Sequence, residues 1–184
     1  MLSTEQLSRY ARLLVRYCLE VRTGDRVFVS TTLLAEPLLR EVYREALEAG
    51  AALVEYDLAF RERDRLFMRS ANSAALDTPP LLYSAAMAGF DCYLAIRAPF
   101  NLREAAQDDP DRARRRNEAL SAAHRNYFER TADRRLRRNL CQYPTDAAAQ
   151  EAGMGLSDYA QFVAEACKLD APDPIAAWLE VRRA

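Results

Sequence analysis

The sequence predicts an α/β fold: a three-layer domain with a mostly parallel sheet of at least four strands and helices on both faces, Rossmann-like in layout. Three observations carry that expectation. Apolar, β-branched runs alternate with amphipathic segments from end to end. The links between them are short. The first of these runs is apolar at consecutive positions, the pattern of a strand covered from both sides. The 184 residues suffice for one domain, expected over 1–184, that buries roughly 70% of its unfolded surface without disulfides or a structural metal.

The elements follow in order. Ser3 and Gln6 have capping-box spacing, and Leu7, Ala11, Leu14, Cys18 and Val21 then recur at helical intervals. Thr23-Gly24-Asp25 breaks this helix, and Val27 to Thr31 reads as the first strand, Arg26 included. Pro37 suits the start of the next helix, whose Leu38, Val42, Ala46 and Ala49 share one face, with Gly50 as its C-terminal cap. Ala51 to Asp57 reads as a second buried strand and Arg61 to Ala71 as a charged, partly exposed helix. The Asp77 to Pro80 turn opens a short helix ending at Gly89, and Asp91 to Ile96 is a third strand. Asp109-Pro110 starts a long polar helix to about Arg130, and Leu136 to Tyr143 is a fourth strand, atypical in carrying Arg137, Arg138 and Asn139. Helical segments near Thr145 to Ala152, Leu156 to Lys168 and Asp173 to Arg182 close the chain.

Composition narrows function. Half the residues are apolar, 29% are charged and the net charge is −1, so there is no electrostatic footprint for nucleic acid or acidic membranes. The opening residues lack a basic, then apolar, leader pattern, and no apolar run approaches a membrane span; the cytoplasm is the expected compartment. Cys18, Cys92, Cys141 and Cys167 are scattered singly and read as free, buried thiols. Lys168 is the sole lysine among 26 basic residues, a skew that codon usage explains.

Catalytic constellations are scarce. The single histidine, His124, has Leu120 and Phe128 four residues away on either side, which places it on or beside a packed helical stripe as a core or interface residue. With no HExxH, His pair or CxxC, a protein-built zinc site is not expected. Asp108, Asp109 and Asp111 read as a helix start, with Asp109 as the cap. The sheet's carboxyl ends should lie at Ser30-Thr31-Thr32, Asp57-Leu58 and Arg97-Ala98-Pro99, where a ligand would sit in this fold class. No glycine follows the first strand and neither nucleotide-binding fingerprint occurs, so those hydroxyls read as turn and cap groups. The arginine runs 112–116 and 134–138 read as a solvated helix face and an edge-strand gatekeeper, not a nucleic-acid surface. No catalytic, cofactor-binding or metal-ligating residue is therefore assigned.

One stretch is more specific. Tyr143-Pro144-Thr145, Ala149-Gln150, Ala152-Gly153-Met154, and then Asp173-Pro174 to Trp178, resemble the end of the N-terminal domain of the aminopeptidase T and aminopeptidase S family of metal-dependent leucyl aminopeptidases. Tyr10-Ala11 through Val27, and Ala46 to Ala51, are similar to its first two units. Family members commonly carry a serine at position 155 and acids at 157 and 160, where this chain has Gly155, Ser157 and Ala160. The resemblance implies a cytosolic, dimeric enzyme that removes N-terminal residues such as leucine from peptides, using two divalent metals of zinc or cobalt type. It places those metals on a C-terminal domain whose ligands would fall beyond Ala184. The expectation is a non-catalytic N-terminal domain, its partner a catalytic domain or a second copy, with Ile175, Ala176, Trp178, Leu179 and Val181 bordering the contact. The alternative is a free-standing α/β binding or assembly module.

Overall fold

A computed structural model describes residues 1–183. Four strands, β1 (Arg26–Thr32), β2 (Leu53–Ala59), β3 (Cys92–Arg97) and β4 (Arg137–Gln142), form one all-parallel sheet in the order β2-β1-β3-β4. The expected strands are all present, shifted by one or two residues at their ends. Around them run α1 (Thr4–Arg12), α2 (Glu36–Glu48), α3 (Arg63–Ser70), α4 (Ser73–Asp77), α5 (Leu81–Gly89), α6 (Pro110–Ala132), α7 (Asp146–Glu151), α8 (Leu156–Ala166) and α9 (Pro174–Arg183).

Strand periodicity divides the core in two. Val27, Val29, Cys92, Leu94 and Ile96 point to one face, where they pack with α1, α2 and Val163 and Ala164 of α8. Phe28 and Tyr93 point to the other, under Ala86 and Met87 of α5 and Ala123 of α6. β1 is central and buried on both faces, as its apolar run predicts. β2 differs from expectation. It is an edge strand with Tyr56 47% exposed, because it lies outermost beyond β1 and alternates Val54 inward with Glu55 and Asp57 on the second face.

Local signals end most helices. The Ser3–Gln6 capping box is formed, and Asp109 accepts from the Asp111 and Arg112 amides at 2.9 and 3.1 Å. After α2, Gly50 at φ +94° donates to Leu47 O while Ala51 donates to Ala46 O, a paired C-terminal closure that requires the left-handed region. α1 departs from plan: it runs on into a π-helical turn over Leu13–Cys18, with Leu19 N–H reaching Leu14 O at 2.9 Å. Leu13, Leu14 and Val15, three successive residues at the start of the widened turn, are all in the core.

The first arginine run also corrects its reading. Only Arg114 of the run pairs along the solvated face of α6, with Glu118 at 2.9 Å. Arg112 donates to the carbonyls of Met68 and Ala71, both at 2.6 Å, and Arg116 to Thr78 O at 2.6 Å while stacking on Phe67. Arg115 grips Asp77 at 2.5 Å, and Arg130 holds Met87 O and Phe90 O. These guanidinium groups close helix C-termini, whose last carbonyls lack intrahelical partners and carry the negative end of the dipole.

Candidate functional site

In an open parallel sheet, the ligand crevice lies where strand order reverses, here at the carboxyl ends of β1 and β3. The groups there are already engaged. Thr31 Oγ1 donates to Ile96 O at 2.9 Å, and Thr32 Oγ1 donates to Ala98 O at 2.6 Å while accepting from the Leu34 amide at 3.3 Å. Ser30 Oγ lies 2.7 Å from the Tyr93 hydroxyl. Asp57 is held through both oxygens by Arg63, at 2.7 and 2.8 Å. Of the three hydroxyls only Thr32 serves as a cap, while Ser30 and Thr31 reach across to β3 and brace the β1 and β3 ends against each other.

The sheet has two edges, β2 and β4, and the one flanked by grooves on both faces is β4. Arg137 N–H bonds to Asp91 O at 2.9 Å and Tyr143 N–H to Arg97 O at 2.8 Å, so the odd-numbered residues direct their backbone groups toward β3. Parallel pairing then turns the N–H and C=O of Arg138 and Leu140 outward. The outward carbonyl of Gln142 is taken by the Tyr10 hydroxyl at 3.1 Å.

Two grooves flank this edge, one on each face, and Asn139 and Leu140 line both. The first, about 430 Å³, runs between β4 and the π-helical turn, walled by Tyr10, Tyr17, Phe162 and Trp178. The second, about 330 Å³, holds Tyr83, Tyr127, Phe128 and His124. A wider polar hollow of about 880 Å³ adjoins the amino end of β4, where Arg22, Arg134 and Arg135 stand near Glu20, Asp25 and Asp91.

Chemistry in the grooves is quiet. Cys18, Cys141 and Cys167, far apart in sequence, line the first groove together, and all are free. Burial pushes the Cys18 thiol up to about 11, with Cys167 adding to it, and raises Cys141 and Cys167 as well. The Tyr10 phenol is driven far above its usual range, first by burial and then by the neighbouring thiols. At neutral pH these are protonated groups in an apolar wall, and a thiol is a poor nucleophile.

His124 lies beside the packed stripe, as one form of the sequence reading has it, but not in the core. It is exposed, its ring meeting Tyr83 edge-on at 6.1 Å, while Phe128 is 65% exposed. Ala123 and Tyr127 occupy the packed stripe instead, because the clamps at Arg116 and Arg130 set the roll of α6. Among the described residues, no three His, Cys, Asp or Glu side chains converge as metal donors. The donor set present does not fit a two-metal centre.

Sequence reasoning identified the strand ends but missed both grooves. Their walls come from separate elements far apart in the chain, from Tyr10 to Trp178 in the first and from Tyr83 to Leu140 in the second, and the one local signal was the exposed, arginine-rich character of β4 itself.

The comparisons agree with this architecture. A family model described as thermophilic metalloprotease (M29) matches residues 3–184. Aminopeptidase 2 of Geobacillus stearothermophilus is 28% identical over 186 residues, an alignment covering 96% of this chain and 45% of that enzyme. Wild-type AmpT from Thermus thermophilus has the same fold, with a TM-score of 0.75 at 21% identity over 97% of this chain and 46% of AmpT. The chain therefore spans less than half the length of the relatives it matches. Matched over nearly its whole length and sharing the fold of AmpT, the chain belongs to the thermophilic metalloprotease (M29) family.

Proposed function

We propose that this chain is the N-terminal, non-catalytic domain of a metal-dependent aminopeptidase, folding as one unit over 1–184 and inactive alone. The observation that carries this reading is coverage. The family match runs through 3–184, yet the alignment accounts for only 45% of aminopeptidase 2, and among the described residues no metal donors converge. In this reading the two divalent metals, of zinc or cobalt type, are held by residues of the other half. Bound there, they would activate water and polarise the scissile carbonyl of an N-terminal peptide bond. This chain's part is to pack on that half and shape access for the peptide. A cytoplasmic, dimeric enzyme is part of the same proposal; among the described residues no helix is long and apolar enough to cross a membrane.

The test is direct. Purified chain titrated with zinc or cobalt in the presence of a chromogenic leucine amide is expected to give no turnover and no tight metal binding. Submicromolar affinity with turnover that disappears in His124→Ala would overturn the proposal. Co-expression with the portion of aminopeptidase 2 outside the match is expected to yield a complex. A chain that stays monomeric and ignores that portion would favour a free-standing binding module.

A further inference from the structure

An open strand edge beside apolar surface invites another strand, and folded proteins blunt such edges with charge, shortness or cover. β4 has arginines at 137 and 138, but neither guards the edge. Arg137 turns inward to Asp25 at 2.6 Å and to the Glu20 carbonyl, and Arg138 lies over the Tyr127 ring at 5.1 Å from its centroid. Left on the edge are the outward backbone groups of Arg138 and Leu140, and the Leu140 side chain, 56% exposed between two grooves.

Resting on the function proposed above, we infer that β4 accepts a fifth strand, supplied by the portion of M29 proteins lying outside the segment this chain matches. Main-chain bonds to Arg138 and Leu140 would set its register. Its side chains, alternating across the sheet, would fall into the groove of Tyr17, Phe162 and Trp178 on one face and against Tyr127 and Phe128 on the other. The strand that fits is apolar at successive positions, with a carboxylate at the end that meets the hollow at Arg134, a residue with no ion pair among the described residues.

Three observations select this occupant. The matched relatives are more than twice as long as this chain. α9 lies along the first groove through Trp178, whose indole N–H donates to Cys167 O at 3.3 Å, so in the N-terminal-domain reading proposed above the remaining portion of the longer relatives would lead off beside this edge. A second copy fits less well. Its own β4 would offer Arg138, Leu140 and Gln142 to one apolar groove and Arg137, Asn139 and Cys141 to the other, mostly guanidinium and amide groups.

The experiment co-expresses the tagged chain with the portion of G. stearothermophilus aminopeptidase 2 outside the match and follows backbone hydrogen exchange in the purified complex. Exchange at Arg138 and Leu140 should slow by about tenfold or more relative to the chain alone, with Trp178 emission shifting to shorter wavelength. Leu140→Lys, at a side chain already exposed, should abolish that protection, whereas Leu81→Lys on α5 should leave it intact. A complex in which Arg138 and Leu140 exchange as fast as in the free chain overturns the added strand and leaves the domain reading standing. Absence of any complex overturns both. Protection that appears in the chain alone and grows with its concentration assigns the edge to a second copy and overturns the occupant inferred here.

Discussion

Asp25 is the residue on which the amino end of the sheet turns. Its carboxylate accepts from the Arg22 amide and from Arg137, each at 2.6 Å, and the Arg137 and Asp25 side chains are only 21% and 13% exposed. Asp25→Asn keeps the shape and leaves a mostly buried guanidinium without its countercharge. It should lower the free energy of unfolding by about 3 kcal/mol, read by urea denaturation. Glu118→Gln, at an exposed pair on α6, should stay within about 0.5 kcal/mol of the parent. The protonated thiols and phenols make a second residue-scale prediction. Thiols ordinarily near 9.0 and phenols near 10.0 are raised here chiefly by burial, Cys18 to about 11 and Cys92 and Tyr83 to about 12. A raised group binds its proton longer in the folded state than in the unfolded one. The stability it contributes is complete below the unfolded value and is lost as pH rises through the folded value. Denaturation midpoints should therefore hold steady to about pH 8 and fall progressively from about pH 9 to pH 12. A midpoint still flat at the alkaline end would contradict the burial of these groups.

At the scale of elements, helix ends explain both what the sequence disclosed and what it hid. Gly50 and Lys168 occupy equivalent positions just past α2 and α8, each with positive φ and the same paired closing bonds, to Leu47 and Ala46 in one case and to Glu165 and Ala164 in the other. Their substitutions should have opposite signs. Gly50→Ala puts a Cβ 2.8 Å from Thr23 Oγ1 and into the left-handed region, at a cost of about 1–2 kcal/mol. Lys168→Gly removes left-handed strain from a non-glycine residue and should add about 0.5–1 kcal/mol, both shifts being measurable as melting temperature. The Gly50 signal could be read in advance because glycine advertises the conformation; lysine does not, and the same closure at Lys168 stayed invisible. The π-helical turn was hidden for a related reason. Leu14 and Cys18 keep helical spacing whether or not the turn is widened, so the extra core contacts of Leu13 and Val15 leave no mark on the periodicity. The five-residue α4, with its Asn72 cap, falls between the elements that the sequence predicts.

For the molecule as a whole, the alternation of strand and helix was legible because each element carries its own local pattern, and parallel pairing follows from the helical links between strands. Which strands become edges is decided by order in the sheet, and that order is a tertiary fact. β2 is apolar enough at Val54 and Leu58 to pass for a buried strand, yet lies outermost. The candidate site was hidden on the same account, since grooves walled by Tyr17 and Trp178, or by Tyr83 and Tyr127, exist only once β4 is placed last. The arginine clamps carry one more consequence. Arg112, Arg116 and Arg130 mostly grip backbone carbonyls of the segments around α3, α4 and α5, and a carbonyl belongs to every residue type. Those clamp bonds survive side-chain substitution on the held segments while the main-chain path is kept, although Ala86 and Met87 stay fixed by the core, and Phe67 and Asp77 by Arg116 and Arg115. The gripping arginines have no such latitude, so at the clamp bonds themselves tolerance to change is lopsided, wider at the carbonyl-bearing residues outside the core than on the long helix that holds them.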